Sequence, residues 1–157
     1  MLISNVPFHL DQERKMSDQS FSKALTANDT GASGGHQAGT HIPKSQTDLL
    51  SFLPELDRSI KNPSVWLVCR DEAGVAWRFR YIYYNNKLHD EGGTRDEYRI
   101  THMTGFMCSA GAQPRDFLVI SGKPRAGILN LRVLSSSGDG SEPEPKRIKL
   151  RGWQRVF

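Results

Sequence analysis

The sequence predicts a mainly β, barrel-like domain of about seven strands with one or two short helices. Three observations carry this expectation. Segments in which apolar and polar side chains alternate recur along the chain, clusters of Asn, Asp, Gly and Pro separate them, and one segment, after Pro43, has an apolar stripe at helical spacing. At 157 residues the chain has the length of one domain, and an aromatic content of 9% is enough to build a core. Residues 1–20 turn polar after Leu10 and are expected to be an N-terminal extension, with the domain spanning residues 21–157.

The elements follow in order. Residues 21–27 alternate weakly and run into residues 28–35 (NDTGASGG), rich in types that make turns or accept positive φ, so a strand entering a long loop is expected. Residues 38–43 resume an extended chain that Pro43 ends, because proline cannot donate to a ladder. A short helix follows, with Ser45 or Thr47 as N-cap, Asp48 in its first turn and Leu49, Leu50, Phe52 and Leu53 as its apolar stripe before Pro54. Residues 64–69 (SVWLVC) form a continuous apolar run that suits a buried strand, and residues 71–74 close a hairpin. In residues 76–84, Trp77, Phe79, Tyr81 and Tyr83 alternate with Arg78, Arg80 and Ile82, which predicts one buried face. A loop over 85–93 leads to an alternating strand over 94–101, and further strands are expected over 116–121, 128–134 and from Lys146. Between the last two, residues 135–145 (SSSGDGSEPEP) have the composition of a flexible loop.

Composition excludes several classes of function. No run of apolar residues reaches the eighteen needed to span a membrane, and the first ten residues lack a basic signal-peptide start, so a cytoplasmic protein is expected. Cys69 and Cys108 stand 39 positions apart with no neighbouring cysteine, which suits neither a disulfide framework nor a zinc knuckle and fits a reducing compartment. The histidines His9, His36, His41, His89 and His102 show no zinc-ligand spacing. A metal-dependent nuclease needs an Asp and then an acidic-x-Lys pair on a neighbouring strand. Glu144-Pro-Lys146 carries proline inside the motif, and Glu13-Arg-Lys15 has only Asp11 before it, so neither qualifies. No catalytic residue, metal site or cofactor is expected in this chain.

The net charge is +4, and residues 115–157 alone carry nine basic and four acidic side chains, a net of +5. The stretch Lys146 to Arg155 alternates cations with apolar residues, which suits either a phosphate-facing strand or a solvated one. Two constellations are more specific. In residues 23–43, four glycines (Gly31, Gly34, Gly35, Gly39) let the backbone approach a ligand and aim N–H groups at an anion, among Lys23, Asn28, Asp29, His36, Gln37 and His41. These side chains match base edges and phosphates, although no lysine follows the glycines as a nucleotide-binding loop requires. The competing interpretation is a glycine-rich surface loop capped by Asn28 and Asp29. In residues 92–99 (GGTRDEYR), an extended chain projects Arg95, Glu97 and Arg99 to one face and Thr94, Asp96 and Tyr98 to the other. Such an Arg-Glu-Arg row, about 13 Å long, can lie in a major groove, arginine reading guanine and glutamate accepting from cytosine. It can equally be a salt-bridge row on an exposed strand.

Residues 27–37 (ANDTGASGGHQ), Gly39, Ile42 and Pro43, residues 62–65 (NPSV), residues 82–85 (IYYN) and the pattern TRxExRIT at 94–101 together resemble the N-terminal effector-binding domain of the EcoRII-type (type IIE) restriction endonucleases. Order and spacing agree over residues 21–102; beyond Thr101 only the strand pattern does. The resemblance implies an open DNA-binding pseudobarrel, similar also to plant auxin-response-type domains, that holds double-stranded DNA between two arms entering the major groove. It implies contact roles on the N-arm for Lys23, Asn28, Asp29, Thr30, Ser33, Gly34, Gly35, His36 and His41, and on the C-arm for Arg95, Glu97 and Arg99, and Thr94, Asp96 and Tyr98 of the same segment are also expected among the DNA-binding residues. It implies a 5′-CCWGG target, a separate catalytic nuclease domain in a prokaryotic parent protein, Mg²⁺ only in that domain, and allosteric control of cleavage; no membrane or small-molecule partner is expected. Two departures stand out: the family's aromatic hydroxyl at position 41 is His41, and lysines of its C-arm are Gly93 and Tyr98. The alternative expectation is a stand-alone DNA-binding regulatory protein of the same fold.

Overall fold

A computed structural model describes residues 17–34, 39–136 and 152–157. The chain runs β1 (Gln19–Ala24), α1 (Ala27–Thr30), β2 (Thr40–Ile42), α2 (Thr47–Phe52), β3 (Ser64–Arg70), β4 (Ala76–Tyr84), α3 (Asn86–His89), β5 (Glu97–Thr101), α4 (Thr104–Ser109), β6 (Phe117–Gly122), β7 (Ile128–Leu134) and β8 (Trp153–Arg155). All eight strands join one sheet in the order β2-β5-β4-β3-β7-β6-β1-β8, antiparallel throughout except for the β3–β7 pair. The sheet curls until its ends approach. Trp153 Nε1 of β8 donates to the His41 carbonyl of β2 at 3.3 Å, and Lys23 Nζ of β1 donates to Thr40 Oγ1 of β2 at 2.8 Å. A mainly β, nearly closed barrel-like fold with short helices is thus established, with eight strands where about seven are expected.

The alternation in β4 holds for Phe79, Tyr81 and Tyr83, which are buried with Phe21, Ile100, Leu118 and Ile120, while Trp77 is only partly buried and Ile82, expected on the outer face, is buried as well at 2% exposed. Helix α2 seals one side of this core by burying Leu49 and Phe52, the Phe52 ring lying 4.9 Å from that of Phe21. At six residues it is too short to be stable alone, so burial rather than propensity holds it. Its N-cap is Gln46, with no side-chain cap bond, and not Ser45 or Thr47; the chain enters through a backbone turn in which Gln46 N donates to the Pro43 carbonyl.

Four other expectations are revised. Strand β3 is not buried throughout: Leu67 and Cys69 are inside, while Trp66 is 50% exposed, because only one face of the sheet meets the core. The expected loops 28–35 and 85–93 contain the single turns α1 and α3, and α4, where no element is predicted, plugs the barrel with Phe106 and Met107. Strand β5 starts at Glu97, three residues after the expected start, and β1 already at Gln19. The basic stretch 146–151 and most of the expected loop 135–145 lie outside the described residues.

Burial pushes the Cys69 thiol up to about 12, whereas Cys108 is exposed on α4. A thiolate-directed alkylating reagent is therefore expected to label Cys108 alone in the native protein and both cysteines in denaturant, counted by intact mass. Labelling of Cys69 at the native rate of Cys108 would contradict the packing.

Candidate nucleic-acid interface

The N-terminal part of the site is built on an ion pair. Lys23, 8% exposed, points inward from β1, and its Nζ donates to both Asp29 carboxylate oxygens at 2.7 and 2.6 Å as well as to Thr40. Asp29, 4% exposed, also accepts from the Thr26 backbone N–H, while Thr26 Oγ1 accepts from Asp29 N, a reciprocal capping box that fixes α1. Gly31 ends the turn in the left-handed conformation, φ 79°. Lys23 and Asp29, both expected among the contact residues, are buried and paired with each other, and they tie β1, α1 and β2 together. Asn28, Ser33 and Gly34 stand exposed above that brace, with Thr30 half-buried; Ser33 Oγ donates to Asn28 Oδ1 at 2.7 Å. Gly35 and His36 lie outside the described residues.

Strand pairing brings the second constellation beside the first. In the β2–β5 register His41 is opposite Arg99, and its Nε2 lies 3.9 Å from Glu97 Oε2. Gly39 makes this approach possible, since a Cβ there would sit 2.6 Å from the Ile100 carbonyl oxygen. Glu97 is the hub of the outward row: Arg95 Nε and NH2 donate to its Oε1 at 3.1 and 2.6 Å, and Arg99 NH1 is 3.6 Å from Oε2. Burial acts to raise the Glu97 carboxyl, but the Arg95 hydrogen bond and the charges of Arg99, Arg95 and His41 outweigh it and hold it below the ordinary range.

The inward row is structural. Tyr98, 5% exposed, stacks on Tyr83 with centroids 4.3 Å apart, and its hydroxyl accepts from Arg58 Nε. Asp96 accepts from the Tyr83 hydroxyl and pairs with Lys44. Thr94 is exposed at the loop end. Within β5 the alternation holds, with Tyr98 inside and Glu97 and Arg99 on the other face, where Arg95 joins them through Glu97; Thr94, on the expected inner row, is exposed.

Sequence inspection missed Tyr84 and Asn86. Tyr84 pairs with Glu97 across β4–β5, and its ring lies 3.5 Å below the Arg95 guanidinium. Asn86 Oδ1 accepts from Arg95 N at 2.7 Å, and the Asn86 carbonyl would be 2.2 Å from a Cβ at position 93, so Gly93 is dictated by the loop that aims Arg95. Only the strand register reveals these partners.

The His41 imidazole is held below its ordinary 6.5 by burial, which outweighs the raising effect of Glu97; Arg99 and Lys23 also lower it. The folded value is thus below the unfolded one. Its contribution to stability is full above pH 6.5 and is lost as pH falls through the folded value. His41→Gln is expected to remove that part of the acid sensitivity, seen as a smaller drop in urea midpoint from neutral to mildly acidic pH; identical profiles would contradict the placement of His41.

Among the described residues no three His, Cys, Asp or Glu come together as a metal-holding group, and no helix is long and apolar enough to cross a membrane. The fold has a solved counterpart. The protein of the Arabidopsis FUS3–DNA complex superimposes with a TM-score of 0.55 at 20% identity, covering 74% of this chain and 96% of that one, which places the chain in the same barrel-like fold class. A family model described as restriction endonuclease EcoRII, N-terminal, matches residues 15–112, and the chain belongs to that family. Type II restriction enzyme EcoRII of Escherichia coli is 41% identical over 87 residues, 50% of this chain and 19% of the relative. Auxin response factor 11 of Arabidopsis thaliana is 38% identical over 145 residues, 90% of this chain and 21% of the relative. The chain thus spans about a fifth of the length of these relatives.

Proposed function

We propose that this chain is a sequence-specific double-stranded DNA-binding module, the effector or recognition part of a restriction endonuclease whose cleavage is carried by a separate nuclease domain with its own Mg²⁺. The observation that carries this is the outward Arg95–Glu97–Arg99 row lying beside His41 and the α1 loop, in a chain of the EcoRII N-terminal family. The row suits a major groove. Arg95 is held by Glu97 and Tyr84, so little of its side-chain freedom is lost when it turns to guanine O6 and N7, Arg99 stands 3.6 Å from Glu97 for the same role, and Glu97 accepts from cytosine N4. These pairings fit the outer G·C pairs of 5′-CCWGG. Asn28, Ser33 and Gly34 form the second arm, and DNA held between the arms acts as an effector of cleavage elsewhere.

A mobility-shift competition tests this: a labelled CCWGG duplex should be displaced by unlabelled cognate duplex at far lower concentration than by a scrambled one, and Mg²⁺ should produce no cutting by this chain. Equal competition by both duplexes would refute sequence reading. One observation favours the alternative, a DNA-binding regulatory protein: the similarity to auxin response factor 11 extends over 90% of the chain. The two separate at the full-length protein, which cuts CCWGG DNA in the first case and binds without cutting in the second.

A further inference from the structure

The outward faces of β3 and β4 carry a second surface that the reading row does not use. Trp66 is half exposed at the middle of β3. The Arg78 guanidinium lies 5.2 Å from its ring centroid, and the His102 ring meets it edge-on at 5.1 Å. His102 reaches that position with φ +66°, a left-handed conformation costly for a residue with a Cβ. Arg80 pairs with Trp66 across β3–β4 and donates from Nε to Ser64 Oγ, and Arg70 ends the same strand. Among the described residues, Arg70, Arg78 and Arg80 form no ion pair; Arg70 and Arg78 are exposed and Arg80 is half-buried on the same face as the half-exposed indole. The nearest carboxylates along these strands are at their ends, Glu97 on β5 and Asp71 and Glu72 in the β3–β4 turn.

The register sets the spacing. Arg80 is opposite Thr101, two residues from Arg99, so Arg99 lies diagonally from Arg80 across β4–β5 and Arg78 follows two residues further along β4, each step being about 7 Å. A flexible strand can follow such a row with successive phosphates, whereas a rigid duplex meets a curved barrel only tangentially. A duplex also offers no free base face to Trp66, whereas an unpaired base does.

We propose that this face binds single-stranded nucleic acid: Trp66 stacks a base on its open face, Arg78 and Arg80 hold the flanking phosphates, and the strand points toward Arg99. Only its position next to a duplex site rests on the reading above. The test is titration of the full chain with oligo(dT) and, separately, oligo(rU), followed by tryptophan fluorescence and anisotropy. Quenching with at least one of them is expected, with binding weakened about tenfold or more in Trp66→Leu and in Arg78→Ala. Trp66→Phe should keep most of the affinity and lose most of the quenching. Absence of oligonucleotide binding, Trp66→Leu binding like the wild type, or equal quenching by polyglutamate would overturn the proposal. Duplex competition run on the same samples separates the two ideas: discrimination kept without oligonucleotide binding fails this one, and oligonucleotide binding without discrimination fails the duplex reading.

Discussion

Replacing Asp29 with alanine is expected to destabilise the fold by about 3–5 kcal/mol, the largest effect of any single polar substitution in the described residues. The reason is what the change leaves behind. Lys23 keeps its ammonium inside the barrel with Thr40 Oγ1 as the one remaining acceptor, and the Thr26 N–H loses the carboxylate that closes the capping box. Removal of both charges tests the mechanism: the pair Lys23→Met with Asp29→Leu should recover most of the loss, because a well-packed apolar pair replaces a buried ion pair at little cost. Urea unfolding of the two variants measures this directly. Asp29→Ala within about 1 kcal/mol of the wild type would mean that the ion pair is not buried in solution. The same variant should weaken duplex binding, since the α1 loop then has no anchor to β1 and β2.

Arg95→Ala is expected to cost about 1–3 kcal/mol of cognate duplex binding and to relax discrimination at one base pair, while binding to random duplex changes little. Its geometry explains the asymmetry. The Arg95 guanidinium is clamped between the Tyr84 ring and the Glu97 carboxylate, with its backbone N–H fixed by Asn86, an arrangement that aims a planar donor pair rather than leaving a mobile charge. A cation that only touched phosphate would lower both affinities alike. Competition binding against duplexes changed one base pair at a time distinguishes the two; equal loss for cognate and random DNA would refute the reading role.

Much of this was legible in the residues because period-two patterns are strong. The buried Phe79, Tyr81 and Tyr83 of β4 and the two faces of residues 97–99 follow from alternation alone. Side-chain fate within the Gly-rich segment does not. Lys23 and Asp29 have the residue types of a ligand site, and only the closure of β1 against β2 shows that they meet each other at 2.6 Å. The same holds for Trp66, whose apolar neighbours suggest burial although it faces outward. Short turns such as α1, α3 and α4 carry too few residues for a helical period to register, and Gly93 is fixed by the Asn86 carbonyl, a contact that no local pattern encodes.

Amide hydrogen exchange of the chain with and without a CCWGG duplex tests the shared face most directly. Protection is expected together in α1 and its following loop, at β2 around His41 and over residues 95–99, with α4 and β7 unchanged. Protection confined to one of the two segments, or appearing on β7 and α4 instead, would contradict a single face built from both.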